Sequence, residues 1–184
     1  MEISMKKLIG LLLLSSNLVQ AELSDFDINW KNEKQCLAIN LYHEARSESM
    51  AGIVSVAMVV INRTKSTKFP NNICDVVKQG NVTESWKTKR YPDIPNSMRI
   101  FYPTRGQCQF SWFCDGQSDT PLEEESYKRM LDISDKLLED DFNIDITEGA
   151  DHYFATWIDV EPKWAKHMIY IGTIDKHKFY KSIN

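Results

Sequence analysis

Glu44 continues a row of apolar residues. Leu37, Leu41, Glu44 and Glu48 follow one another at spacings of four, three and four, which places them on one face of a helix. In Asn40-Leu41-Tyr42-His43-Glu44-Ala45-Arg46 an acid therefore extends a leucine stripe. Two readings are open. The acid is a surface residue just past the edge of the core, or it is a partly desolvated acid on the wall of a cleft. Only the second raises its pKa and lets it hold a proton near neutrality, as a general acid must. By pattern alone the surface reading is the commoner one, so the rest of the chain decides.

Other chemistries find little support. His43-Glu44 opens like the zinc-protease pattern H-E-x-x-H, but Ser47 stands where the second histidine belongs. The remaining histidines, His152, His167 and His177, lie far along the chain, and no metal or cofactor is expected. There is no G-x-S-x-G elbow and no glycine-rich phosphate loop, and serine or cysteine triads have no pattern behind them.

Residues 1–21 have the form of a secretory signal: Lys6 and Lys7, the apolar run Leu8 to Leu14, then Val19-Gln20-Ala21 as a cleavage site. The run is too short to span a bilayer comfortably. Cleavage after Ala21 is expected, with no stable membrane insertion afterwards; a retained signal-anchor is the alternative. Removing Glu2, Lys6 and Lys7 takes the net charge from −4 to −5. An acidic chain argues against nucleic-acid binding and gives no general attraction to anionic membranes. The local run Lys87-Thr88-Lys89-Arg90 reads as an exposed loop.

Residues 22–184 suffice for one hydrophobic core and are short for two. Four cysteines, Cys36, Cys74, Cys108 and Cys114, favour two disulfides in an oxidising compartment, with three pairings open. Cys108 and Cys114 flank a short aromatic segment and could close a local loop; Cys36–Cys74 would then tie the first helix to a later one. Zinc is the competing use of four thiols, but no C-x-x-C knuckle is present.

The elements that must position these groups are mostly helical. Residues 22–32 look like a polar arm. A helix is expected over about 33–47, and Ser49 can cap a second over 50–63 whose body is apolar on almost every side. Asn62 and Arg63 form its polar exit, with Arg63 at the negative helix pole. A short helix over 73–79 stops at Gly80. Residues 81–105, with Pro92, Pro95 and Pro103, read as an irregular aromatic loop of the kind that lines grooves. Residues 107–113 read as extended. Thr120-Pro121 with Glu123 forms a capping box for a helix reaching about Leu138. A short helix over 164–168 and extended pieces at 169–172 and 178–180 close the chain. The expectation is one α+β domain, mainly helical with a small β component, and no repeat or linker.

Taken together, Cys36 to Arg46, Val56 to Arg63, Phe69-Pro70-Asn71-Asn72-Ile73-Cys74-Asp75-Val76-Val77 and Cys108-Gln109-Phe110-Ser111-Trp112-Phe113-Cys114-Asp115-Gly116 resemble the SleB/CwlJ-type cell wall hydrolase family, whose founding members are spore-cortex-lytic enzymes. The match resumes at Asp151-His152-Tyr153, Pro162-Lys163-Trp164-Ala165, Ile171-Gly172 and His177-Lys178-Phe179-Tyr180, nearly spanning residues 22–184. Ser47-Glu48-Ser49 replaces a frequent Gly-Glu-Pro, Asp151 a frequent threonine, and Thr173 to Lys176 lengthen the piece before His177. These departures touch loop shape rather than chemistry.

The resemblance implies a lysozyme-like fold, cleavage of peptidoglycan glycan strands and Glu44 as the catalytic acid. No second catalytic carboxylate is placed; Asp115 is a candidate, though Asp-Gly is most often a turn. One glutamate acting first as acid and then as base suffices for a lytic transglycosylase, which uses the muramoyl C6 hydroxyl as internal nucleophile. Tyr102, Trp112 and Tyr153 are candidates to stack on sugar rings, with Trp112 equally open to a core role. Gln109, Ser111 and His152 could hydrogen-bond sugar substituents. Arg46 could position Glu44 or form a surface pair, and Glu48 could disfavour ionisation of Glu44 if both face a cleft, the commoner reading being an exposed glutamate at the helix end. A monomer is expected. The rival accounts are a noncatalytic exported peptidoglycan-binding module and a secreted interaction protein.

Overall fold

A computed structural model describes residues 28–139 and 144–183; the expected signal over 1–21 lies outside the described residues. Two helices form the centre. α1 (Glu33–Ala45) is capped by Asn32, whose side chain accepts from the Gln35 N–H, and it buries Cys36, Leu37, Ala38, Ile39 and Leu41 completely. α2 (Met50–Thr64) is capped by Ser49 and is buried from Ile53 to Ile61 apart from a half-buried Val54. Fully burying each such aliphatic side chain contributes about 1.5–3 kcal/mol. α3 (Ile73–Val77) starts at an Asn72 cap. Disulfides join Cys36 to Cys74 and Cys108 to Cys114, so the first bolts α3 to α1.

The stretch 81–105 is the irregular loop its prolines suggest only in its middle, residues 90–100, where a 3₁₀ turn over Asn96–Met98 interrupts turns and bends; its two ends are strands. β1 (Gly80–Glu84) pairs antiparallel with β2 (Phe101–Cys108), and α4 (Trp86–Lys89) follows β1. Both faces of this hairpin meet solvent over most of its length, so no alternation of apolar and polar residues marks it. The extended reading of 107–113 is also corrected: the strand ends at Cys108, and Ser111–Cys114 is a 3₁₀ turn.

α5 (Glu124–Leu137) packs on α1 through Tyr127, Met130, Ile133 and Leu137. The capping box at Thr120 does not form. The helix starts later, and the Tyr42 hydroxyl accepts from the Leu122 and Glu123 N–H groups at 3.0 and 3.1 Å. A phenol reaching from α1 thus fixes the chain where it enters α5, while no side chain caps the first turn of that helix.

The second sheet is antiparallel, with β3 (His152–Ala155) and β4 (Met168–Ile174) flanking β5 (His177–Ser182). A 3₁₀ turn over Lys163–His167 precedes β4. The β4–β5 turn holds Asp175 at φ 47, and its carboxylate accepts from the Ser49 N–H at 2.8 Å. That bond fastens the sheet to the start of α2. Gly52 must stay small, since a Cβ there would collide with the Asp175 carboxylate.

Candidate active site

The last turn of α1, the end of α2, β3, β5 and the Ser111–Cys114 turn converge on a cavity of about 480 Å³. Glu44 reaches it from α1 and Arg63 from α2. Strand alternation sends Tyr153 toward it, while the neighbouring His152 ring bonds Asp151 at 2.8 Å and packs near Phe69 and Trp164.

The centre is a carboxyl held by a phenol. Tyr153 Oη donates to Glu44 Oε2 at 3.0 Å. Burial pushes the Glu44 pKa up from the usual glutamate range; the Tyr153 hydrogen bond and the Arg63 charge oppose it. Burial, then the Glu44 charge, push the Tyr153 phenol well above its ordinary value, so it stays a donor. Arg63 is only 4% exposed. Its Nε donates to the Asp151 carbonyl at 2.7 Å, and its guanidinium lies 5.0 Å from the Phe69 ring and 5.4 Å from the Phe110 ring. Among the described residues, its buried Nη1 has no hydrogen-bond partner.

His43 and Trp112 build one wall. Their rings stack at 4.4 Å and 13°. His43 Nε2 faces the Asp119 carbonyl at 3.1 Å, which makes Nε2 the protonated nitrogen, and burial lowers the ring's pKa. Trp112 Nε1 donates to the buried Asn40 Oδ1 at 3.1 Å, so this indole is largely a packing element. On another side His177 lies buried with its ring edge-on to Tyr153 at 5.0 Å. Trp157, 65% exposed, stands at the rim.

Of the residues singled out from sequence, Glu44, Gln109, Ser111, Trp112 and Tyr153 line the cavity; Tyr102, Asp115 and His152 do not. Tyr102 is exposed on β2 opposite Thr83. Asp115 Oδ1 accepts from the Gln117 N–H, the turn geometry of Asp-Gly. Arg46 pairs with Glu123 at 3.3 Å and donates to the Tyr42 carbonyl, not to Glu44. The Glu48 carboxylate is taken by Lys176, through its Nζ at 3.4 Å and its N–H at 3.3 Å, and it does not line the cavity, so the two acids do not share a cleft. Sequence reasoning missed His43, Arg63, Trp157 and His177 as wall residues. His43 was legible only as part of a failed zinc motif, and Arg63 only as a helix terminus.

Among the described residues no group of three or more His, Cys, Asp or Glu side chains converges as a metal site requires. What the arrangement offers is a partly desolvated acid with one oxygen held by Tyr153 and a buried cation to favour its anion: a group able to give a proton and take one back.

A family model described as Cell Wall Hydrolase matches residues 47–180, beginning three residues past Glu44. A spore cortex-lytic enzyme of Halalkalibacterium halodurans is 44% identical over 46 residues, which are 25% of this chain and 14% of that enzyme. The catalytic domain of the Bacillus cereus SleB protein is 27% identical with a TM-score of 0.50, over 82% of this chain and 91% of that one. The catalytic domain of the germination-specific lytic transglycosylase SleB from Bacillus anthracis is 27% identical with a TM-score of 0.51, over 82% of this chain and 95% of that one. The mixed, mainly helical architecture is thus the lysozyme-like one of these catalytic domains.

Proposed function

From membership of this chain in the cell wall hydrolase family, we propose that it cleaves the glycan strand of peptidoglycan with Glu44 as the proton-transferring group. The observation that carries the reading is the Glu44 carboxyl at the cavity wall with Oε2 held by Tyr153. The acid proton then sits on Oε1, which is left to face the glycosidic oxygen. Protonation of that oxygen lets the bond to the N-acetylmuramic acid C1 break as positive charge grows on the ring. The Tyr153 hydrogen bond and the Arg63 charge stabilise the carboxylate left behind.

In the second step the Glu44 carboxylate takes the proton of the muramoyl C6 hydroxyl as that oxygen attacks C1, which gives a 1,6-anhydro end and restores the acid. Among the described residues that line the cavity Glu44 is the one carboxylate. That favours this lytic transglycosylase route over hydrolysis, which draws on a second carboxylate. The B. anthracis relative, described as a lytic transglycosylase, supports the same choice. Two disulfides accord with an oxidising compartment and so with export; a signal over residues 1–21 cleaved after Ala21 and a monomer of residues 22–184 complete the proposal.

Mass spectrometry of fragments released from purified peptidoglycan tests the reading. Anhydromuramoyl ends are expected from the wild type; reducing ends would replace the transglycosylase route by hydrolysis. Glu44→Gln is expected to bind sacculi and lose on the order of 10²–10⁴-fold in turnover, and wild-type turnover in that variant would remove Glu44 from the chemistry. Sacculus binding with no release of fragments by the wild type would make the protein a binding module.

A further inference from the structure

The hairpin that frames the expected loop is clamped at its root and carries a built tip. At the root, Gln109 N–H donates to the Gln79 carbonyl at 2.8 Å and the Cys108–Cys114 disulfide closes the base. Across the tip, Arg99 Nη1 pairs with Glu84 at 2.7 Å, Arg99 Nη2 donates to the Pro92 carbonyl at 2.7 Å, and Ser85 N–H donates to the Ile100 carbonyl at 2.7 Å. Both partners of the Arg99–Glu84 pair are mostly buried. These contacts brace the tip in this shape.

That shape leaves apolar side chains in water. Trp86 is 67% and Met98 63% exposed, and Tyr91, Ile100 and Phe101 are exposed with them. The Arg90 guanidinium lies 5.1 Å from the Tyr91 ring and 6.0 Å from that of Trp86, joining the aromatic residues to the basic run Lys87, Lys89, Arg90. Over residues 80–108 five cations (Lys87, Lys89, Arg90, Arg99 and Arg105) stand against Glu84 and Asp93, a net of +3 in a chain of net −4, so the remainder carries −7. Exposed Trp and Tyr beside Lys and Arg are the composition of a membrane interface, where the ring bodies enter the headgroup layer and the cations meet phosphate.

We propose that the tip of the β1–β2 hairpin docks on the surface of an anionic lipid bilayer, with Trp86, Met98 and Ile100 entering the headgroup layer and Lys87, Lys89 and Arg90 on lipid phosphates. A glycan with acidic peptide stems also presents carboxylates to these cations and sugar faces to the aromatic rings. Met98 and Ile100 offer such a ring no stacking face, whereas a lipid interface takes aliphatic and aromatic groups alike. The acidic remainder is repelled by the same surface, which turns the rest of the molecule outward. Docking of this kind goes beyond the glycan-cleaving reading and does not depend on it.

Co-sedimentation of the purified protein with vesicles tests the proposal. The wild type is expected to pellet with vesicles of equal parts phosphatidylcholine and phosphatidylglycerol and to stay in solution with phosphatidylcholine alone. Binding should fall at least about tenfold on raising salt to about 0.5 M. Trp86→Ala and the double variant Lys87→Glu/Lys89→Glu should each lower vesicle binding about tenfold or more, with thermal melting and sacculus retention unchanged. A wild type that ignores the phosphatidylglycerol vesicles, or variants that bind them as well as it does, would overturn the proposal. So would loss of sacculus retention in the variants, which assigns the tip to the wall polymer instead.

Discussion

Tyr153 Oη and Glu44 Oε2 lie 3.0 Å apart, joining the last turn of α1 to strand β3 across 109 residues of sequence. The phenol serves the anion more than the acid, because a donor stabilises a carboxylate more than a neutral carboxyl.

Tyr153→Phe removes that donor and leaves burial to act against a weaker opposition. The Glu44 pKa rises further, so the alkaline limb of a kcat–pH profile is expected to move upward while kcat at its maximum falls about tenfold. An unmoved limb would mean that the phenol does not sense the Glu44 proton.

Glu44 itself should make the fold weaker as pH rises. Its folded pKa is raised above the unfolded value, so the native state holds the proton more tightly. Stability from this group is full below the range of an unfolded glutamate, about pH 4, and is lost as pH rises through the folded value. Glu44→Gln is therefore expected to match the wild type in acid and to exceed it at neutral pH. Urea melts at two pH values give the difference directly; a wild type that stays equal to the variant at both would contradict the raised pKa.

Arg63→Gln strips a buried cation and leaves the Asp151 carbonyl without its 2.7 Å donor. An unfolding loss of about 1–3 kcal/mol is expected. In the folded fraction the Glu44 carboxyl should titrate at higher pH, as read by ¹³C NMR of labelled glutamate. Arg63→Lys keeps the charge and is expected to retain the Glu44 titration more nearly than Gln does.

Trp157 stands exposed at the cavity rim, so its removal can report sugar contact without disturbing the core. Trp157→Ala is expected to raise KM about five- to tenfold with kcat nearly unchanged and to move folding stability by less than about 0.5 kcal/mol. A change confined to kcat would place the indole elsewhere in the mechanism.

The two disulfides should differ in weight. Cys36–Cys74 closes a separation of 38 residues and Cys108–Cys114 one of 6, which in the chain-entropy account correspond to about 4 and about 2 kcal/mol. Paired alanine variants, compared by denaturant midpoint, are expected to keep that order.

The helical half of the fold was legible because local chemistry fixes it. Ser49 caps where such a residue should, and the apolar stripe of α1 and the all-round apolar α2 allow little but burial; the Asn32 and Asn72 caps were seen only in the structure. The four cysteines and the row leading to Glu44 could be read the same way. The hairpin over 80–108 could not, since a strand exposed on both faces carries no period-2 signal.

What the sequence by itself determined is therefore which segments become buried helices and which acid closes the leucine row. Tertiary structure decided what that acid faces. A helix face is a local property of spacing, but the desolvation that raises the Glu44 pKa, and the phenol and guanidinium that oppose it, come from β3 and the far end of α2. The same packing gave Glu48 to Lys176 and Arg46 to Glu123, because a charged side chain takes the partner that folding brings nearest, and no spacing along the chain names that partner in advance.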